Sequence, residues 1–165
     1  VEQKNQLMLI HTLKELRQRG YKIKLQIAGA GYLLESLKNK IKELQLESDV
    51  TLLGFVEDTR ATLAGFDIFL FPSHYEGSAN AIIEAMAMGK PVVSYDVSSM
   101  PEMVIHDVSG KLASYENEDD FINQVELLIK DKELRLKLGK QARELCETQF
   151  NNQLIFKQIT SYLLS

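Results

Sequence analysis

Residues 67–94 read DIFLFPSHYEGSANAIIEAMAMGKPVVS. Ile68 to Phe71 is a short, uncharged apolar run with two aromatic rings, the composition of a strand covered on both faces. Residues 91–94 form a second such run. Between them, residues 76–89 carry apolar side chains at helical spacing and stop at a glycine, so the stretch reads strand, crossover helix, strand. Glu76 falls on the loop leaving the first strand, and Glu84 lies within the helix that Ser78 to Asn80 begin. Both carboxylates can then face the carboxyl edge of a parallel sheet, where open α/β folds bind their ligands.

Outward from this unit the alternation continues. Residues 5–19 place Leu7, Ile10, Leu13 and Leu16 on one helical face; Gly20 stops the helix, and residues 21–28 alternate and end apolar as a strand. Gly29-Ala30-Gly31 turns the chain into a helix running to residue 46 through Leu33, Leu34, Leu37, Ile41 and Leu44. A strand over 50–53 leads through Gly54-Phe55-Val56 to a helix over 58–64, capped by Asp58 or Thr59. A short helix over 101–105 precedes a strand over 110–113. From Asn117 onward only helical patterns remain, over 118–130, 132–149 and 153–163, with stripes such as Phe121, Val125, Leu128 and Ile129 that must bury against the sheet. The fold class expected is α/β, a three-layer Rossmann-like domain with a parallel sheet.

Composition excludes several functions. The 165 residues suffice for one domain with a sizeable core, and 45% hydrophobic residues fit a soluble globular fold. A net charge of −4 with interspersed signs offers no basic stripe, so nucleic acid is not expected as a partner. The single cysteine, Cys146, cannot form an internal disulfide, which favours a reducing compartment and a cytoplasmic location. No apolar run approaches bilayer length, so no membrane span is expected. Val1 followed directly by a helix entry suggests a fragment cut just after a strand.

The candidate chemistry gathers at the sheet edge. Backbone amides around Gly77, Ser78, Ala79 and Asn80 open a helix and can hold a phosphate without a basic side chain in the loop. Glu84 can accept hydrogen bonds from a ribose diol, and Glu76 can address a sugar hydroxyl or help to position a transferred group. Gly29 and Gly31 permit close approach of a diphosphate, although the pair falls short of a full dinucleotide fingerprint. Lys4, just ahead of the first helix, is the cation best placed to meet that diphosphate. Phe55 and Val56 can lie against a nucleobase, with Leu63 completing an apolar wall. His74 offers a general base, a cover for the strand end, or a donor to a sugar hydroxyl. His11, His74 and His106 fall on separate elements, so no metal site is expected. Each of these residues also has a plainer reading, as solvated surface, turn or core.

Taken together, Gln3-Lys4-Asn5-Gln6, Ala28-Gly29-Ala30-Gly31, Leu53-Gly54-Phe55-Val56, the Glu-x7-Glu block running into Ala-Met-Ala-x-Gly-x-Pro-Val, Pro101-Glu102-Met103-Val104 and Ser109-Gly110-Lys111-Leu112 resemble the C-terminal half of a family 4 retaining glycosyltransferase of the GT-B fold. The resemblance is to bacterial enzymes of capsule and lipopolysaccharide synthesis. It implies that residues 1–165 are a nucleotide-sugar-binding domain lacking its first strand and the N-terminal acceptor domain. By the same resemblance Lys4 contacts the donor diphosphate, Glu76 lies near the donor sugar, and Glu84 holds the ribose, with Glu76 and Lys4 the catalytic pair. The family's arginine upstream of that lysine is not in the sequence.

The implied substrate is a UDP- or GDP-sugar, used without a metal cofactor, and the implied acceptor is a glycan or lipid-linked glycan bound through the missing domain. Peripheral membrane association of the intact enzyme is left open, and the isolated fragment is expected to have little or no transferase activity. Two other readings stand beside this one: a sugar-nucleotide epimerase domain, which needs further acid and base groups around the sugar, and a non-catalytic flavodoxin-like binding module.

Overall fold

The computed structural model describes residues 4–29, 31, 33–75 and 80–149. Local sequence sets the ends of its elements. Helix α1 (Gln6–Gln18) stops where Gly20 adopts φ +94°, with Gly20 N–H donating to Arg17 O at 3.0 Å and Tyr21 N–H to Leu16 O at 3.1 Å. Strand β1 (Leu25–Ala28) starts later than the expected residue 21, because Tyr21 is held in that helix cap and its hydroxyl donates to Glu126. Helix α2 (Leu34–Glu43) ends short of residue 46, since Gln45 turns left-handed and Leu46 N–H reaches back to Ile41 O at 3.0 Å.

There follow β2 (Val50–Gly54), α3 (Thr59–Ala64), β3 (Phe69–Phe71), α4 (Asn80–Ala87), β4 (Val92–Tyr95), α5 (Met100–Met103), β5 (Gly110–Ala113), α6 (Glu118–Lys130) and α7 (Lys132–Gln149). Asp58 is the cap of α3, its carboxylate accepting from Ala61 N–H at 3.0 Å. The helix expected over 153–163 lies outside the described residues.

All strand pairs are parallel, in two groups: β1 with β2, and β3 with β4 with β5. Among the described residues no ladder joins β1 to β3. Side chains make that join instead. Leu70 of β3 and Ile23 ahead of β1 each pack against both neighbouring core clusters, and α1 supplies Leu9, Ile10 and Leu13 to one of them and Met8 and Leu16 to the other.

Helices cover both faces. α1, α2 and α6 lie on one side, where Met8, Val93, Tyr95, Phe121, Val125 and Leu128 form a cluster; α3, α4, α5 and α7 lie on the other, where Ile82, Met86, Val92, Met100, Ala142 and Cys146 form another. Residues of β4 alternate between the two, Val92 to one and Val93 and Tyr95 to the other, so all four positions of this strand are buried. This is the three-layer, parallel-sheet arrangement that the sequence predicts.

The terminal helices join opposite layers. α6 packs on β4 and β5, while α7 crosses to the far face and lies on α4. The crossing is close enough to require glycine: a Cβ at Gly139 of α7 would sit 2.2 Å from Gly89 O, at the end of α4. Gly89 itself has φ +66° and terminates α4, with Lys90 N–H bonded to Ala85 O at 3.0 Å.

Candidate functional site

Because the strands within each group are parallel, Ala28 and Gly54 end together at one edge of the first group, and Phe71, Tyr95 and Ala113 at one edge of the second. The first group of candidate residues forms where β1 and β2 finish. Gly29 has φ +133° and its N–H donates to Gly54 O at 2.8 Å, which ties the glycine turn to the Gly54-Phe55 corner. Gln6, in the first turn of α1, donates from Nε2 to Ala28 O at 3.3 Å. That bond draws the start of α1, with exposed Lys4 just ahead of it, to the same turn. Gly31 is exposed, with open space where a Cβ would stand. The Phe55 ring is 78% exposed, an apolar face left in solvent at the site's rim, and Val56 beside it is half-buried.

The second group stands at the end of β3 and the start of α4. Ser94 of β4 donates from Oγ to Phe71 O at 2.9 Å, and buried Ser73 donates to Tyr75 O at 3.3 Å, folding the strand exit back on itself. Asn80 opens α4 and is exposed. Glu84 is exposed one turn further on, while Ile82, Ala85 and Met86 are fully buried, so the helix is fixed through one side and shows its carboxylate on the other. Glu76, Gly77, Ser78 and Ala79 lie outside the described residues. Leu63 is 5% exposed and packs in the core with Ile82 and Met86, which turns it away from any open wall.

A contact between distant parts of the chain adds to this group. The His74 ring meets Tyr115 edge-on, with centroids 5.9 Å apart and planes at 88°. Tyr115 in turn meets Tyr95 at 6.1 Å and 87°, and Tyr95 leans on Phe121 at 5.0 Å. Burial raises the Tyr95 hydroxyl to about 12, with a smaller contribution from Glu118, so Tyr95 stays neutral at physiological pH. Tyr115 and Gln6 were not candidates in the sequence, and no local pattern marks either one. Their roles depend on strands and helices meeting that are far apart along the chain.

Among the described residues no group of three or more His, Cys, Asp or Glu side chains could hold a metal ion. A cavity of about 790 Å³ opens between α1 and α2, lined by His11, Lys14, Asn39, Lys40, Glu43 and Glu118 among others, and it contains none of the candidate residues. Within its lining, His11 Nδ1 lies 2.9 Å from Glu118 Oε2. No helix among the described residues is long and apolar enough to cross a membrane.

The sequence profile of the family described as Glycosyl transferases group 1 matches residues 1–145. This chain belongs to that family. Among its curated relatives, the amylovoran biosynthesis glycosyltransferase AmsK of Erwinia amylovora is 35% identical over 98% of the chain and 42% of its own length. The capsular polysaccharide biosynthesis glycosyltransferase CapM of Staphylococcus aureus is 30% identical over 93% of the chain and 40% of its own length. The chain thus spans about two fifths of these relatives.

Among solved structures, the HepE protein of Anabaena in complex with UDP and glucose superposes with a TM-score of 0.88 at 26% identity, over 99% of this chain and 45% of that one. The C-terminal domain of a group 1 glycosyl transferase from Francisella tularensis shares the fold, with a TM-score of 0.79 at 23% identity over 92% of this chain and 82% of that one. The group 1 domain described here is therefore a Rossmann-like α/β unit of the GT-B kind, related to bacterial enzymes of capsule and lipopolysaccharide synthesis.

Proposed function

We propose that this group 1 domain is the donor-binding part of a retaining glycosyltransferase that moves a hexosyl group from a UDP- or GDP-sugar to a hydroxyl acceptor in surface polysaccharide biosynthesis. The observation that carries the reading is the likeness, over 99% of the chain, to a glycosyltransferase-fold protein crystallised with UDP and glucose. The fold it shares with a C-terminal glycosyl transferase domain supports placing it in the second half of a two-domain enzyme, with the acceptor, a glycan or lipid-linked glycan, bound by the other half.

In this reading the residues divide the donor between them. Gly29 and Gly31 leave room for the diphosphate beside Lys4, whose charge balances it as the leaving group departs. Asn80 and the amides ahead of it hold phosphate or sugar at the start of α4. Glu84 accepts the ribose hydroxyls, Phe55 and Val56 lie against the base, and Glu76 addresses the transferred sugar. The acceptor oxygen bonds to the anomeric carbon on the face from which the diphosphate leaves, the bond from that carbon to the diphosphate oxygen breaks, and the acceptor's proton passes to the diphosphate. Lysine and backbone amides carry the charge, so no divalent cation is required. The enzyme works in the cytoplasm, where nucleotide sugars are available, with the membrane face as the place where a lipid-linked acceptor meets it.

Titration calorimetry with UDP, GDP and their hexose esters tests the reading, on this chain and on the protein at its full natural length. Glu84 is exposed, so Glu84→Ala should leave the melting temperature unchanged and weaken nucleotide binding about tenfold, the size of a lost charge-assisted bond. Binding should persist in EDTA. No binding by the full-length protein, or binding indifferent to Glu84→Ala, would count against the assignment.

A further inference from the structure

Gln6 ties together two parts of the domain that lie 22 residues apart, its Nε2 donating to Ala28 O at 3.3 Å. Ala28 ends β1, and the next residue, Gly29, gives its N–H to Gly54 O of β2 at 2.8 Å. The turn is thus held by a strand through Gly29 and by a helix side chain through the carbonyl before it. Glycine makes that approach possible. A Cβ at residue 29 would stand 3.0 Å from Gln6 Nε2, tighter than ordinary contact, on a backbone whose φ of +133° already favours glycine. The helix end of the link is equally particular. Asn5, between Lys4 and Gln6, is left-handed at φ 46° and ψ 45°, and its side chain makes no cap bond to α1. Its carbonyl accepts from Met8 N–H at 3.0 Å, and Met8, Leu9 and Ile10 are buried. The chain therefore turns sharply at Asn5, so that exposed Lys4 leaves a firmly seated helix in a direction set by Asn5, while Gln6 fixes that helix to the turn.

We propose that Gln6 is a positioning residue for the donor diphosphate: by holding the start of α1 against the end of β1, it sets where Lys4 stands relative to the backbone of Gly29. The inference rests on the donor-binding reading above, in which Lys4 balances the diphosphate, and adds to it the residue through which that lysine is placed. A lysine carries a compact charge on a flexible stem, so its grip on an anion depends on how well the root of the stem is anchored. A root ordered in advance reduces the entropy lost when the ligand binds. An amide suits the task better than a charged side chain. It donates to the Ala28 carbonyl yet brings no charge that would compete with Lys4 or repel the phosphates.

Titration calorimetry on the protein at its full natural length, comparing UMP with UDP and GMP with GDP, reads the second phosphate against the first. Gln6→Met keeps the length and bulk of the side chain and removes its donor. It should weaken the diphosphate about fivefold, change the monophosphate by less than about twofold, and leave the melting temperature within about 2 °C, since the lost bond is exposed. Because Gln6 acts through Lys4, the same substitution in a Lys4→Ala background should weaken the diphosphate by less than about twofold further. Gln6→Glu, which keeps the length but cannot donate to Ala28 O and adds a negative charge, should bind the diphosphate more weakly than Gln6→Met does. Equal weakening of monophosphate and diphosphate, or a loss that persists in full in the Lys4→Ala background, would overturn the proposal. If the unsubstituted protein binds none of the four compounds, the donor-binding reading falls and this inference with it. If it binds them and Gln6→Met binds the diphosphates equally well, the inference falls alone.

Discussion

Replacing Gly139 by alanine tests how α7 is seated. The added Cβ would stand 2.2 Å from Gly89 O, more than 1 Å inside ordinary contact, and its neighbour is backbone rather than a flexible side chain. Gly89 has little freedom to yield, since it terminates α4 in a left-handed conformation and its N–H is bonded to Met86 O at 2.9 Å. Relief must come from α7 lifting off α4, which loosens Leu138, Ala142 and Cys146, all buried. Overpacking of this kind costs about 1–3 kcal/mol, here at the upper end because the obstacle is rigid, and alanine returns up to about 1 kcal/mol in helix propensity. The net expectation is a loss of about 2 kcal/mol, or a melting temperature lower by about 4–8 °C. Urea unfolding followed by circular dichroism would read it, with Gly65→Ala as the control, where the new Cβ meets nothing closer than 3.6 Å. A Gly139→Ala protein as stable as its parent would refute the close crossing. Because α4 presents Asn80 and Glu84, a lifted α7 should also weaken nucleotide binding.

Other expectations concern the site edge and the far face. Gly29→Ala forces alanine into φ +133°, so a loss of about 1–3 kcal/mol in chemical denaturation is expected, together with weaker nucleotide binding as the turn relaxes; an unchanged stability would mean that the turn adopts another conformation. Glu126 accepts from Lys130, Tyr21 and Arg19, bonds that hold its carboxyl down at about 2 against an ordinary 4.5. A depressed carboxyl stabilises the fold above its ordinary value and loses that contribution as pH falls towards 2. Glu126→Gln should therefore melt about 2–4 °C below the parent at pH 7, and the gap should close between pH 4.5 and 2; a gap independent of pH would mean that packing, not charge, sets it.

What the sequence made legible follows from the range of each interaction. The helix ends marked by Gly20 and Gly89 could be read locally, because φ > 0 is a property of one residue. Asp58 could be narrowed to one of two caps, and its bond to Ala61 N–H settles the choice. The early part of the expected strand over 21–28 was misjudged because alternation shows which side chains are apolar but not that Tyr21 is claimed by a helix cap and by Glu126. Leu63 had two readings, wall or core, that differ only in what packs on it, and the packing puts it beside Ile82. The His74–Tyr115 contact left no trace in local pattern at all, since it exists only because β3 and β5 flank the same strand.

The join between the two strand groups has a mechanical consequence. Gly29 and Phe55 belong to one group and His74, Asn80 and Glu84 to the other, and among the described residues the tie between them is a bed of aliphatic side chains, from α1 together with Ile23 and Leu70, rather than a backbone ladder. Such a bed yields to shear more readily than hydrogen-bonded strands do. In the proposed donor-binding reading, a nucleotide sugar held by Gly29 at one end and Glu84 at the other would act as a strut across this join, which no ladder among the described residues braces.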